Sequence, residues 1–251
     1  MAQAEERRAT RNRRIVLIGG GAVSVAVLVS LVVLIVVHQS SSGESSPTTT
    51  TVRATTASDF GKTPCPNPDG TSPRKTTFSS APRLCIDPSQ NYVAKFQTTE
   101  GNFTVTLDAA EAPVTVNNFV VLSLYHYYDG TTFHRAIPGF IVQGGDPNGH
   151  PPGTGSPGYT IADELPASLS DYMVGSMAMA NTGQPHTGGG EFFFWLGPNP
   201  LPAPSYSLFG QVVAGLDVVR KIEATGSPTG EVAHPVTIQT VTIGSAQITS
   251  R

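Results

Sequence analysis

Phe133-His134-Arg135-Ala136-Ile137-Pro138-Gly139-Phe140-Ile141-Val142-Gln143-Gly144-Gly145-Asp146 sets one permanently charged guanidinium among large apolar side chains, a few positions before an amide and a glycine pair. An arginine kept in such company is costly unless it is paired or has a task. Asp129-Gly130 breaks the chain just before this run, and Thr131 to Ile137 reads as a strand. The run therefore marks extended backbone that carries chemistry, for which the rest of the chain must supply a floor and walls.

Strands are predicted on either side of it. Tyr92 to Thr98 alternates in polarity, Phe103 to Leu107 follows, and Thr98 to Asn102 between them is a hairpin signal. Pro113 stands at a helix start, and Val116, Phe119 and Val120 share one helical face that can run to about Tyr125. Asn117 and Asn118 are expected to face away from that stripe. Residues 144–160 hold six glycines and four prolines and read as a long structured loop. Ser176 to Ala180, Phe192 to Trp195 and Tyr206 to Val213 are further strands, Leu216 to Ile222 is a short helix, and Val236 to Ile243 closes the series. Alternation in that last strand slips at Thr240-Val241. The order predicts a mainly β fold, a barrel with helices covering its open ends.

Composition agrees. The chain has 251 residues with 26 glycines and 21 prolines, too many for a helical bundle, and charged residues make up only 13%. Residues 1–14 carry five arginines and two glutamates, and the remainder is mildly acidic within a net charge of -3. No basic stripe is present, which argues against nucleic-acid binding.

Residues 15–37 are 23 consecutive residues without a charge. As a helix they would span roughly 34 Å, enough for a hydrocarbon core of about 30 Å. Arg11, Arg13 and Arg14 precede them, so the N-terminus (residues 1–14) is expected in the cytoplasm and the remainder outside. The apolar run is longer than a signal-peptide core, and His38-Gln39-Ser40 offers no small-x-small cleavage site, so a retained single-pass anchor is expected. Residues 38–60, mostly small and polar, are expected to form a disordered stalk. Residues 61–90 read as a Pro-rich linker, 91–246 as the folded domain and 247–251 as a tail. Cys65 and Cys85 are the only cysteines, an even count on the oxidising side, which suggests one disulfide. Two free thiols are the alternative. The anchor and Thr-rich stalk fit a bacterial cell envelope.

No nucleophile elbow, zinc-helix motif or phosphate loop is present. The stretch from about Tyr92 to Ile243 instead resembles the cyclophilin-type peptidyl-prolyl isomerases. The resemblance rests on Phe133-His134-Arg135, Ile137-Pro138-Gly139-Phe140 and Gln143-Gly144-Gly145-Asp146, then on Met179-Ala180-Asn181 with Gly183, on Phe192-Phe193, and on Phe209-Gly210 with Val212 and Gly215. It implies an eight-stranded antiparallel barrel capped by two helices, with a peptide groove on the barrel's outside. It gives Arg135 the catalytic role and sets Phe140, Ile141, Phe193 and Leu201 or Pro202 around the proline pocket. Gln143 and Asn181, with Ala180 beside the latter, would hold the substrate backbone. Tyr206 stands where many members have histidine, and Glu191 where glutamine is usual, which would favour basic residues flanking the proline. His134 is expected to be structural.

The substrates implied are proline-containing polypeptides, and no cofactor or metal is expected. Residues 197–207 depart from the family pattern. The usual tryptophan is not evident there, and Trp195, several residues displaced, is not expected to replace it. That puts strong cyclosporin binding in doubt. The rival readings are a proline-peptide-binding module without turnover and a holding chaperone at the envelope.

Overall fold

A computed structural model describes Thr56, 59–198 and 204–245. The expected membrane span at 15–37, the basic N-terminus, most of the stalk and the C-terminal tail lie outside the described residues. Among the described residues no helix is long and apolar enough to cross a membrane.

Eight strands form one antiparallel sheet: β1 (Tyr92–Thr98), β2 (Gly101–Leu107), β3 (Phe133–Ile137), β4 (Ile141–Gly144), β5 (Ser176–Met179), β6 (Phe192–Trp195), β7 (Leu208–Ala214) and β8 (Ile238–Ser245). Their order is β3-β4-β6-β5-β7-β2-β1-β8. The sheet curls until its two edges meet at one corner. There Thr132 bridges Thr237, the Phe133 amide donates to Val236 O at 3.0 Å, and Ile238 donates to Thr131 O at 2.8 Å. β4 joins the expected strands, having no alternation long enough to show itself. Gln97 pairs with Thr240 and Thr98 with Ile238, so Gln239 bulges from β8 close to the expected slip.

Alternation decides what the curled sheet encloses. Phe192 and Phe194 of β6 point inward with Phe96, Phe103, Phe133, Met177 and Phe209, all buried. Phe193 and Trp195 point outward into a second, smaller apolar cluster. Helix α1 (Pro113–Leu124) sends Phe119 into the inner core, 5.7 Å from Phe192 and 5.5 Å from Phe209 between ring centroids. Helix α2 (Leu216–Glu223) buries Val218, Val219 and Ile222 and leaves Arg220 and Lys221 exposed.

Asn117 and Asn118 do not face solvent; each is 1% exposed. Helix α1 is covered on both sides, so its polar side chains must bond inward. Asn117 donates to Arg83 O at 2.9 Å and accepts from the Cys85 amide at 2.7 Å. Asn118 donates to Gly189 O at 2.6 Å and accepts from the Tyr159 hydroxyl at 2.6 Å.

The covering on one side is the Pro-rich segment read as a linker. It buries Phe78 at 4% exposure, donates from Lys75 N to Tyr125 O and from Phe78 N to Pro157 O, and is closed by the Cys65–Cys85 disulfide. It is a packed part of this unit: the Phe78 ring meets Tyr125, at the C-cap of α1, at 5.4 Å and Tyr159 at 6.2 Å. His126, at φ 55°, clasps it: Nε2 lies 2.8 Å from Gly70 O and Nδ1 2.8 Å from Asp129 Oδ2.

Candidate functional site

The site is built from a defect in strand pairing. Phe133 pairs with Gly144 and Arg135 with Gln143, so β3 spends two steps where β4 spends one, and His134 is the extra residue. Without that bulge, strict alternation would bring Arg135 back to the inward face shared by Phe133. With it, Arg135 lies level with Gln143, which pairs with Phe193, which pairs with Ala178. One row across β3, β4, β6 and β5 therefore carries a cation, an amide, an aromatic ring and a small residue.

A tight turn delivers the neighbouring apolar residues. Ile137-Pro138-Gly139-Phe140 closes with Phe140 N donating to Ile137 O at 3.0 Å, and Gly139 sits at φ 72°, where a side chain would be strained. The Gly139 amide donates to the buried Glu223 carboxylate at 2.8 Å, so α2 pins the turn. Phe140 and Ile141 then fall in the outer cluster with Phe193, Ala180 and Tyr206. The Phe193 and Tyr206 rings meet edge to face at 5.0 Å, and Phe140 meets Trp195 at 5.1 Å.

Arg135 is half-buried and donates from Nη1 to Gln143 Oε1 at 3.2 Å. The amide's nitrogen donates in turn to Glu191 Oε2 at 2.8 Å. The loop over 225–233 backs the arginine stem. A Cβ added at Gly230, which has φ 92°, would lie 3.0 Å from Arg135 Cγ and 3.2 Å from Nε.

The other expected site residues divide. Ala180 and Asn181 border a cavity of about 190 Å³ together with Gln143 and Glu191. The Asn181 side chain is engaged within the protein: it donates to Ser205 O at 2.8 Å and accepts from Gly183 N at 2.9 Å. Each bond uses one of the amide's two donor hydrogens or one of its two acceptor sites, so the side chain keeps capacity for a further partner. Glu191 was expected to present its charge to a peptide, yet its side chain is 13% exposed and its Oε2 is already taken by Gln143. Leu201 and Pro202 lie outside the described residues.

Trp195, which the sequence reading left out of the groove residues, joins the outer cluster because residues two apart on β6 share a face and Phe193 already lies there. That alternation could have found it. Tyr172 is a second addition. Its buried hydroxyl donates to Tyr206 O, holding that ring's backbone, and burial pushes the hydroxyl up to about 12. No local signal marks Tyr172, Glu223 or Gly230.

The wall beside this row is the glycine-rich loop, organised around Asp146. Its carboxylate accepts from the amides of Asn148, Gly149, Gly153 and Gly155 at 2.7–2.9 Å. Burial opposes ionisation there, but the four donors outweigh it and hold the carboxyl below its ordinary value. A larger groove, about 670 Å³, lies at β2, β7 and the start of α1 and shares no residue with the row. Glu164 at its edge caps α1, accepting from Val114 N at 2.9 Å and Thr115 N at 2.8 Å.

The arrangement offers an apolar seat beside a fixed fork of N–H donors, open to an extended chain. Comparison with known proteins points the same way. The family model for cyclophilin type peptidyl-prolyl cis-trans isomerase/CLD matches residues 93–245. A peptidyl-prolyl cis-trans isomerase-like 1 of Neurospora crassa is 39% identical over 142 residues, 56% of this chain and 85% of that protein. A peptidyl-prolyl cis-trans isomerase of Schizosaccharomyces pombe is 40% identical over 129 residues, 51% of this chain and 83% of that protein. Among solved structures, a Cryptosporidium parvum cyclophilin type isomerase superposes with a TM-score of 0.57 at 28% identity, covering 62% of this chain and 99% of its own.

Proposed function

The chain belongs to the cyclophilin-type peptidyl-prolyl cis-trans isomerase family, and from that premise we propose that Arg135 catalyses rotation about X-Pro bonds seated on Phe140, Ile141 and Phe193. The observation that carries this reading is the row in which Arg135, Gln143 and Phe193 stand level on adjacent strands.

The barrier to be lowered is about 20 kcal/mol, because amide resonance must be broken in the twisted state. As the bond twists, the prolyl nitrogen pyramidalises and gains a lone pair. A guanidinium can donate to that nitrogen only then, so the contact stabilises the transition state and not the ground state. Arginine suits the task because it stays charged and its donors are held in a rigid plane. Gln143 fixes that plane by accepting from Nη1. The prolyl ring stays anchored by apolar burial against Phe193, Phe140 and Ile141, with Tyr206 and Trp195 behind them, while the carbonyl side rotates. Ala180 and Asn181 border the adjoining cavity and suit the flanking peptide. No proton moves and no covalent bond forms.

The setting we propose is extracytoplasmic. Residues 15–37 serve as a retained single-pass anchor, the N-terminus stays in the cytoplasm, and the domain assists folding of secreted or envelope proteins. This rests on the charge-free run and the arginines before it. Isomerisation of a short X-Pro peptide tests the catalytic reading. Arg135→Ala should lower kcat/KM by at least a hundredfold at unchanged fold. Equal rates for the two proteins would sink it, and peptide binding without any rate enhancement would select the non-catalytic module.

A further inference from the structure

Glu191 is turned into the protein. Its Oε2 accepts from Gln143 Nε2 at 2.8 Å and lies 3.3 Å from His134 Nε2. The two side chains are 13% and 6% exposed. His134, the bulged residue of β3, makes no hydrogen bond through either ring nitrogen. Gly153 closes on the same end of its ring, where an added Cβ would come within 2.9 Å of Nε2. The carboxylate is thus walled by an imidazole and a glycine loop, and Gln143 is its hydrogen-bonded donor.

This fixes the amide. A guanidinium only donates, so it requires Gln143 Oε1 on its side. An ionised carboxylate only accepts, so it requires Nε2 on the other. Both ends demand the same orientation. With an apolar side chain at 191, one end of the amide would lose its partner and Gln143 would be free to turn, loosening the acceptor that aligns Arg135.

We propose that Glu191 is a positioning residue: its carboxylate locks Gln143, and through it the guanidinium plane of Arg135, instead of reading charge on the substrate. This deepens the isomerase reading and rests on it for its kinetic consequence. A charge-assisted hydrogen bond is roughly twice as strong as a neutral one, and losing it falls on the step that needs alignment.

The test uses the full chain, with Glu191→Leu and Glu191→Gln. On X-Pro peptides flanked by Lys or by Glu, Glu191→Leu should lower kcat about tenfold for both, with KM little changed. Glu191→Gln, which can still accept from Gln143, should restore kcat to within about threefold of wild type. Independently of activity, the Gln143 side-chain amide signals in a ¹⁵N-labelled sample should shift in Glu191→Leu and stay near their wild-type positions in Glu191→Gln. A collapse of Lys-over-Glu preference at unchanged kcat would overturn the proposal in favour of substrate reading. Unmoved Gln143 signals in Glu191→Leu would overturn it outright. Wild-type inactivity with shifted Gln143 signals would uphold the positioning and defeat the isomerase reading instead.

Discussion

Arg135 and Gln143 face each other across β3 and β4 because His134 bulges out of register, and the guanidinium donates to the amide at 3.2 Å. Two consecutive side chains of β3 thereby serve the outer face, one as donor and one as wall. A single extra residue in a strand is what separates a buried arginine from a usable one.

Gly230 sets the depth of that arginine. A methyl group there would sit 3.0 Å from Arg135 Cγ at a backbone φ of 92° that side chains resist. Gly230→Ala should lower kcat/KM about tenfold while costing about 1–3 kcal/mol of stability. Peptide isomerisation and a denaturant titration on the same samples check both, and an unchanged rate would show that the arginine stem is not held from behind.

Phe192 and Phe193 are neighbours in sequence with opposite destinations, the first in the barrel interior and the second in the outer cluster. Phe192→Ala should destabilise the fold by about 3–5 kcal/mol and leave the KM of the folded fraction near wild type. Phe193→Ala should raise KM several-fold at a smaller loss of stability, since its cavity opens toward the groove. Steady-state kinetics beside thermal unfolding separate the two, and matching phenotypes would refute the two-cluster division.

The Cys65–Cys85 bridge closes a loop with a sequence separation of 20 against α1, where the Cys85 amide bonds Asn117. Replacing both cysteines by serine should cost about 3 kcal/mol by loop-closure entropy. Turnover per folded molecule should not change, because the bridge touches none of the groove residues. A fall in kcat would mean that the Pro-rich segment reaches the site.

His126 makes attachment of that segment depend on pH. Both ring nitrogens face acceptors, the Gly70 carbonyl and the Asp129 carboxylate, so only the imidazolium can donate to both. Burial works against the charge, as does Arg74, but the two acceptors outweigh them and the imidazole's value is raised. A raised value means the stabilisation is complete below the ordinary imidazole value of about 6.5 and is lost as pH climbs through the folded one. Protection factors over residues 61–90, with the intrinsic rise of amide exchange with pH divided out, should therefore fall from pH 6 to pH 8.5, and His126→Gln should flatten that response. Equal protection factors at both ends of the range in wild type would show that the clasp does not titrate.

Much of this site could be read along the chain. Phe133, Arg135, Phe140, Gln143 and Phe193 stand in runs that carry their meaning locally, through alternation, a Pro-Gly turn and the family signature. Seven of the eight strands and both α-helices followed from the same local periodicities, with bounds off by two residues at most, while β4 gave no such signal. Where local reading runs out, the deciding neighbour is distant. That Asn117 and Asn118 face away from the apolar stripe is legible, but that residues 83–85 and Gly189 bury them there is not.

What the chain by itself determined is therefore most of the elements and the identity of the groove's Arg135, Phe140, Gln143 and Phe193, since each depends on residues a few positions apart. Tertiary structure alone decided how those groups are held. Glu223 pins the Gly139 turn across a separation of 84 residues, Tyr172 ties down Tyr206 across 34, and Glu191 locks Gln143 across 48. Such contacts leave no periodic trace, because they arise only when a curled sheet brings separate strand ends together and buried polar groups must find partners there.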